Sequence, residues 1–120
     1  MKRVLLIDDA KITINMLTDI LLSNGYDVCG IAENGEEGFE KYKELNPDIA
    51  IIDITMPQVD GIKGIELIKT YDKNAKIIVC SAIGQKHIVL KAIKAGAAEC
   101  ILKPFDEKKV INSIRKVLNQ

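Results

Sequence analysis

The sequence predicts an α/β fold built on a parallel sheet covered on both faces, and three observations predict it. Short apolar runs recur along the chain as VLLI, VCGIA, IAIID, KIIVC and CILK. Each is followed by a longer segment whose apolar residues fall at helical spacing. The runs are apolar on both faces of a strand, and such strands alternating with amphipathic helices call for helices packed on both sides of one sheet.

Each helix has its own signals. After VLLI, the residues Ala10, Ile14, Leu17 and Leu21 share one face, and Asn24-Gly25 supplies a common C-terminal cap. After VCGIA, a second helix starts near Asn34, whose side chain can cap it, and ends before Pro47, which cannot continue a helix. Glu36 and Glu37 suit its N-terminus electrostatically. The third helix, after IAIID, carries Ile62, Ile65 and Ile68. The fourth, after KIIVC, carries Val89, Ala92 and Ile93 and stops before Gly96. The fifth, after CILK, has one continuous stripe of Val110, Ile111, Ile114, Val117 and Leu118.

With 120 residues, 48% of them apolar and 28% charged, the chain has the balance of one globular domain, expected to span residues 1–120,. Its 17 Lys and Arg match its 17 Asp and Glu, so no net field favours nucleic acid or an anionic membrane, and function must come from local charge,. No apolar stretch approaches the roughly 20 residues of a membrane span, and the N-terminus lacks a signal peptide's apolar core, so a cytoplasmic location is expected. Cys29, Cys80 and Cys100 lack metal-ligand spacing and lie in or beside apolar runs, as buried reduced thiols do.

Parallel sheets of this kind gather their ligands at the carboxyl ends of the strands. Asp8 and Asp9 follow the first strand, Asp53 and then TMPQVDG follow the third, Ser81-Ala82 the fourth, and Lys103-Pro104-Phe105 the fifth. A nucleotide site would need a glycine-rich first loop, and this chain has two carboxylates there instead. Like charges about 4 Å apart repel by roughly 4 kcal/mol at an effective dielectric near 20, so converging carboxylates need a cation between them. Hard oxygen ligands with room for water suit Mg²⁺. A hydroxyl on Ser81 and an ammonium on Lys103 facing the same ion could bind the oxygens of a phosphoryl group, which leaves Asp53 as the well-placed nucleophile.

Taken singly, each of these residues has a blander role. An aspartate at a strand end caps helices, Ser81 could cap the fourth helix, and a lysine before proline is an ordinary surface residue. The combination is what points to chemistry, because polar residues of the required types end four strands that are otherwise apolar.

IDDA, PDIAIIDITMPQVDG, IIVCSA and KAGAAECILKPF together resemble the receiver domains of two-component response regulators over essentially the whole chain. The GQ after the fourth strand resembles single-domain chemotaxis-type receivers. The resemblance implies a flavodoxin-like, doubly wound (βα)5 fold with strand order 2-1-3-4-5, an order of which the chemotaxis receiver is itself a familiar example. It implies that Asp53 accepts a phosphoryl group from a phosphohistidine of a sensor histidine kinase. It further implies that Asp9, Asp53 and the Thr55 carbonyl ligate Mg²⁺, that Asp8 acts mainly through water, and that Ser81 and Lys103 contact the phosphoryl oxygens. The Lys103-Pro104 bond would be cis, and the fourth helix, fifth strand and fifth helix would face a downstream target, the flagellar motor switch if the chemotaxis likeness holds. A monomer that is no enzyme beyond assisting its own phosphorylation is expected.

The sequence departs from the family at Cys100, where an aromatic residue often stands three positions before the lysine. Thr55 and Ile83, two places beyond Asp53 and Ser81, flank the path of an attacking water. The apolar Ile83 cannot position one, so slow self-dephosphorylation is expected. His87 should face solvent, Asp60 should shape the turn before the third helix, and Met56-Pro57 should set loop geometry. Alternative readings are a phosphorelay intermediate, the receiver part of a larger regulator, a binding module that no longer accepts phosphate, or a Mg²⁺-dependent aspartyl-nucleophile phosphatase. The last usually carries a general acid where Thr55 stands.

Overall fold

A computed structural model describes residues 1–55 and 58–119. Strands and helices alternate: β1 (Arg3–Ile7), α1 (Lys11–Ser23), β2 (Asp27–Ala32), α2 (Gly35–Leu45), β3 (Ile49–Asp53), α3 (Gln58–Tyr71), β4 (Ile77–Ser81), α4 (Lys86–Ala95), β5 (Glu99–Leu102) and α5 (Glu107–Leu118). The five strands form one parallel sheet in the order β2-β1-β3-β4-β5, as the resemblance implied.

Alternation along the central strands divides the core in two. Leu5, Ile7, Ala50, Ile52, Ile77 and Val79 point to the face covered by α2, α3 and α4, where Tyr42, Ile65, Ile68, Ile88 and Ala92 meet them. Val4, Leu6, Ile49, Ile51, Ile78 and Cys80 point to the face covered by α1 and α5, against Leu17, Leu21, Val110, Ile111 and Ile114. Each fully buried aliphatic side chain contributes about 1.5–3 kcal/mol, and this two-sided burial fixes the register, because a slip by one residue would exchange the faces.

The caps follow the sequence closely. Asn34 Oδ1 accepts from Glu37 N at 2.8 Å, and Asn46, in the left-handed region at φ 51, ends α2 just before Pro47. Asn24 ends α1, and Gly25 follows at φ 84. Two expectations are corrected. On α4 the buried residues are Ile88 and Ala92, whereas Ile93 is exposed, because the sheet-facing stripe runs one position earlier than its spacing from Val89 suggests. The outer strands are not apolar on two buried faces: Ile31 on β2 and Leu102 on β5 are exposed, as edge strands are covered on fewer sides.

Gly35 and Gly64 bring α2 and α3 into backbone contact. A Cβ at Gly35 would lie 2.1 Å from the Asp60 carbonyl oxygen and 3.1 Å from the Gly64 Cα, so only glycine fits. Asp60 lies in the first turn of α3, and its Oδ2 accepts from Gly35 N at 3.2 Å. It thus caps the start of α2, while the turn before its own helix lies partly outside the described residues. Met56-Pro57 lies outside the described residues.

Candidate functional site

Ladder hydrogen bonds deliver the polar residues to one edge of the sheet. Asp8 N donates to Ala32 O at 2.8 Å, Ile54 N to Cys80 O at 2.9 Å and Lys103 N to Ser81 O at 2.9 Å, so backbone pairing continues up to the residues of interest. Asp8, Asp53 and Ser81 are the buried polar residues among those described.

Both oxygens of Asp53 are engaged. Oδ1 accepts from Thr55 N at 2.8 Å and from Thr55 Oγ1 at 2.6 Å, and Oδ2 accepts from Lys103 Nζ at 2.8 Å. Lys103 Nζ also reaches Thr55 Oγ1 at 3.2 Å. Burial by itself pushes the Asp53 carboxyl up, but hydrogen bonds from Lys103 and Thr55 and the charge of Lys103 outweigh it and hold the group below its ordinary value,. Asp53 is therefore a buried carboxylate kept ionised. The Lys103-Pro104 peptide is cis.

Asp8 is in the opposite situation. Its Oδ1 accepts from Ala10 N at 2.9 Å, while Oδ2 is buried with no hydrogen-bond partner among the described residues. Burial, opposed by the Ala10 N–H and reinforced by the neighbouring Asp53 carboxylate, raises the Asp8 pKa to about 6. An acidic oxygen left without a donor beside a second carboxylate suits a cation, and the donor set of hard oxygens fits Mg²⁺,.

Thus the structure brings together Asp8, Asp53, Thr55 and Lys103. It does not bring Asp9 into the group: this side chain is exposed and has no hydrogen bond or ion pair among the described residues. As the side chains stand, no three Asp, Glu, His or Cys residues among those described are clustered closely enough to hold a metal ion. Ser81 is fully buried, and its Oγ lies 3.6 Å from Cys100 Sγ, turned to β5 rather than to Asp53. It is not the cap of α4 either; that position belongs to Gln85, whose Oε1 accepts from Ala82 N at 2.9 Å. Cys29 and Cys100 are only partly buried, in contrast to Cys80, and all three are free thiols. His87 is exposed.

Two side-chain contacts of the site were not readable in the sequence. Thr55 donates its hydroxyl to the nucleophile candidate, a contact that depends on the turn after β3. Gln85 acts on the loop after β4, and its only signal was its place in the GQ pair.

A parallel five-stranded sheet with paired acids, a buried aspartate and a lysine at its carboxyl edge defines a phosphoryl-accepting signalling module, and the family comparison agrees. The response regulator receiver domain family matches residues 4–115, and the chain belongs to it. Among characterised relatives, the chain is similar to the chemotaxis protein CheY of Thermotoga maritima, with 54% identity over 116 residues covering 97% of each chain. It is 49% identical over 117 residues to the chemotaxis protein CheY of Bacillus subtilis, covering 98% of each. Among solved structures it resembles the CheX-CheY-BeF3-Mg+2 complex from Borrelia burgdorferi, with TM-score 0.89, 40% identity, and coverage of 97% of this chain and 88% of that one. Among the described residues no helix is long and apolar enough to cross a membrane.

Proposed function

We propose that this receiver accepts a phosphoryl group on Asp53 from a phosphohistidine of a sensor histidine kinase and thereby changes its affinity for a downstream protein. The observation that carries the reading is the contrast between two neighbouring carboxylates: Asp53 held ionised by Lys103 and Thr55, Asp8 left with an unpartnered buried oxygen. An Asp53 oxygen forms a new O–P bond as the N–P bond of the donor breaks, and the electron pair returns to the imidazole nitrogen.

Asp8, Asp9, Asp53 and the Thr55 carbonyl would hold Mg²⁺, with Asp9 turning inward from its exposed position. When bound, the ion supplies positive charge that offsets repulsion between carboxylate and phosphoryl oxygens. Lys103, already at hydrogen-bond distance from Asp53, is within a small movement of a phosphoryl oxygen on that residue. Ser81 would have to leave Cys100 to do the same, which links filling of the site to the β4–β5 edge. Ile83, 81% exposed and two places beyond Ser81, offers no group to orient water, in keeping with slow self-dephosphorylation.

The names of the relatives support a chemotaxis role, with the face of α4, β5 and α5 meeting the target and the flagellar motor switch as one candidate. The chain acts in the cytoplasm as a monomer that assists its own phosphorylation and dephosphorylation. The reading is tested by incubating the protein with Mg²⁺ and acetyl phosphate and following its mass. One phosphoryl group should be added, and Asp53→Asn should abolish the addition. Multiple turnover of varied phosphate esters would favour a phosphatase instead, and no incorporation would refute the reading.

A further inference from the structure

The GQ pair after β4 has no part in the mechanism so far, yet Gln85 holds a backbone donor whose direction can be worked out. The carbonyl of Ser81 accepts from Lys103 N and so points toward β5. In a trans peptide the N–H of the next residue points the opposite way, so the Ala82 N–H is directed to the β3 side, where Asp53 ends its strand,. Its acceptor is Gln85 Oε1 at 2.9 Å. The contact is not half of a reciprocal capping box, because Ala82 has no side-chain oxygen to return the bond and the α4 N-cap is Gln85 itself,. Gln85 also lines, with Ser81, Val89 and Cys100, an apolar hollow of ≈ 390 Å³ beside the loop.

We propose that Gln85 is a positioning residue that works by competition: its side-chain oxygen stands in for an anionic oxygen on the Ala82 N–H until the site is filled. An oxygen bound at Asp53 and held by Lys103 takes over that N–H, and Gln85 lets go. The amide of Gln85 therefore sets how tightly the site holds a phosphoryl group, and its release loosens the loop between β4 and α4. The inference rests on Asp53 being the phosphoryl acceptor.

The test is equilibrium binding of beryllofluoride, in saturating Mg²⁺, to the wild-type protein, Gln85→Ala and Gln85→Met. Methionine keeps the length of the side chain but removes the competing acceptor. Both variants should bind beryllofluoride about fivefold more tightly, the worth of one neutral hydrogen bond no longer broken. Affinity for Mg²⁺ alone should not move, which a general loosening of the loop would not explain. Equal or weaker beryllofluoride binding by Gln85→Met, with normal binding by the wild-type protein, overturns the inference and leaves the Asp53 reading intact. No binding by the wild-type protein overturns both. In the wild-type protein itself, loading should shift the Gln85 side-chain amide resonance, and an unmoved resonance contradicts the proposal even if neither variant folds.

Discussion

Lys103 Nζ lies 2.8 Å from Asp53 Oδ2, joining the ends of β3 and β5 through a pair in which the carboxylate is almost completely buried. Breaking a buried pair from one side leaves an uncompensated charge, at a cost of about 3–5 kcal/mol when both partners are sequestered. Lys103 keeps 24% of its side-chain surface, so a smaller loss is expected,.

Lys103→Ala should therefore lower stability by about 2 kcal/mol at neutral pH, read from the urea midpoint. The same change should tighten Mg²⁺ binding severalfold, because a competing cation has left Asp53, while slowing phosphorylation from acetyl phosphate. Weaker Mg²⁺ binding would show that Lys103 supports the ion rather than competing with it.

Asp8 and Asp53 should act on stability in separate pH windows. Asp8, raised from 3.8 to about 6, binds its proton more tightly in the folded than in the unfolded chain. Its stabilising effect is full below its ordinary value and is lost as pH rises through about 6, a difference on the order of 2–3 kcal/mol,. Asp53, held below its ordinary 3.8, has the opposite sign, contributing above that value and losing its contribution in more acid solution. Thermal melts of the metal-free protein should thus show a fall in Tm between pH 5 and pH 7 that Asp8→Asn removes. Added Mg²⁺ should raise Tm more at pH 7 than at pH 5, since protons compete for Asp8.

Ser81 should separate function from stability. Among the described residues its hydroxyl meets the weak thiol of Cys100, at 3.6 Å, so Ser81→Ala should change the stability read from the urea midpoint by less than about 1 kcal/mol,. Loss of a donor to developing charge costs far more in rate, so phosphorylation should slow by at least about tenfold. A large stability loss with a normal rate would make Ser81 purely structural.

The fold was legible because burial on two faces writes itself into composition: Ile49, Ala50, Ile51 and Ile52 are all buried, and no surface strand would carry that run. Asp8, Asp53 and Lys103 were legible for the same reason, since a charged residue closing an apolar run must stand at the end of a strand. Contacts set by loop conformation were not. That Asp60 caps α2 depends on how closely Gly35 and Gly64 let two helices approach, and that Thr55 Oγ1 turns to Asp53 depends on one rotamer. Ser81 shows the limit: its place on β4 was readable, but its partner Cys100 is decided by strand register across to β5.

Calorimetric titration with Mg²⁺ at pH 7.5 asks whether the Asp8–Asp53 pair takes a divalent cation. The wild-type protein should bind one ion, with binding weakened at least about tenfold by Asp8→Asn and by Asp53→Asn. Binding that neither substitution changes, or no binding by the wild-type protein, would contradict it.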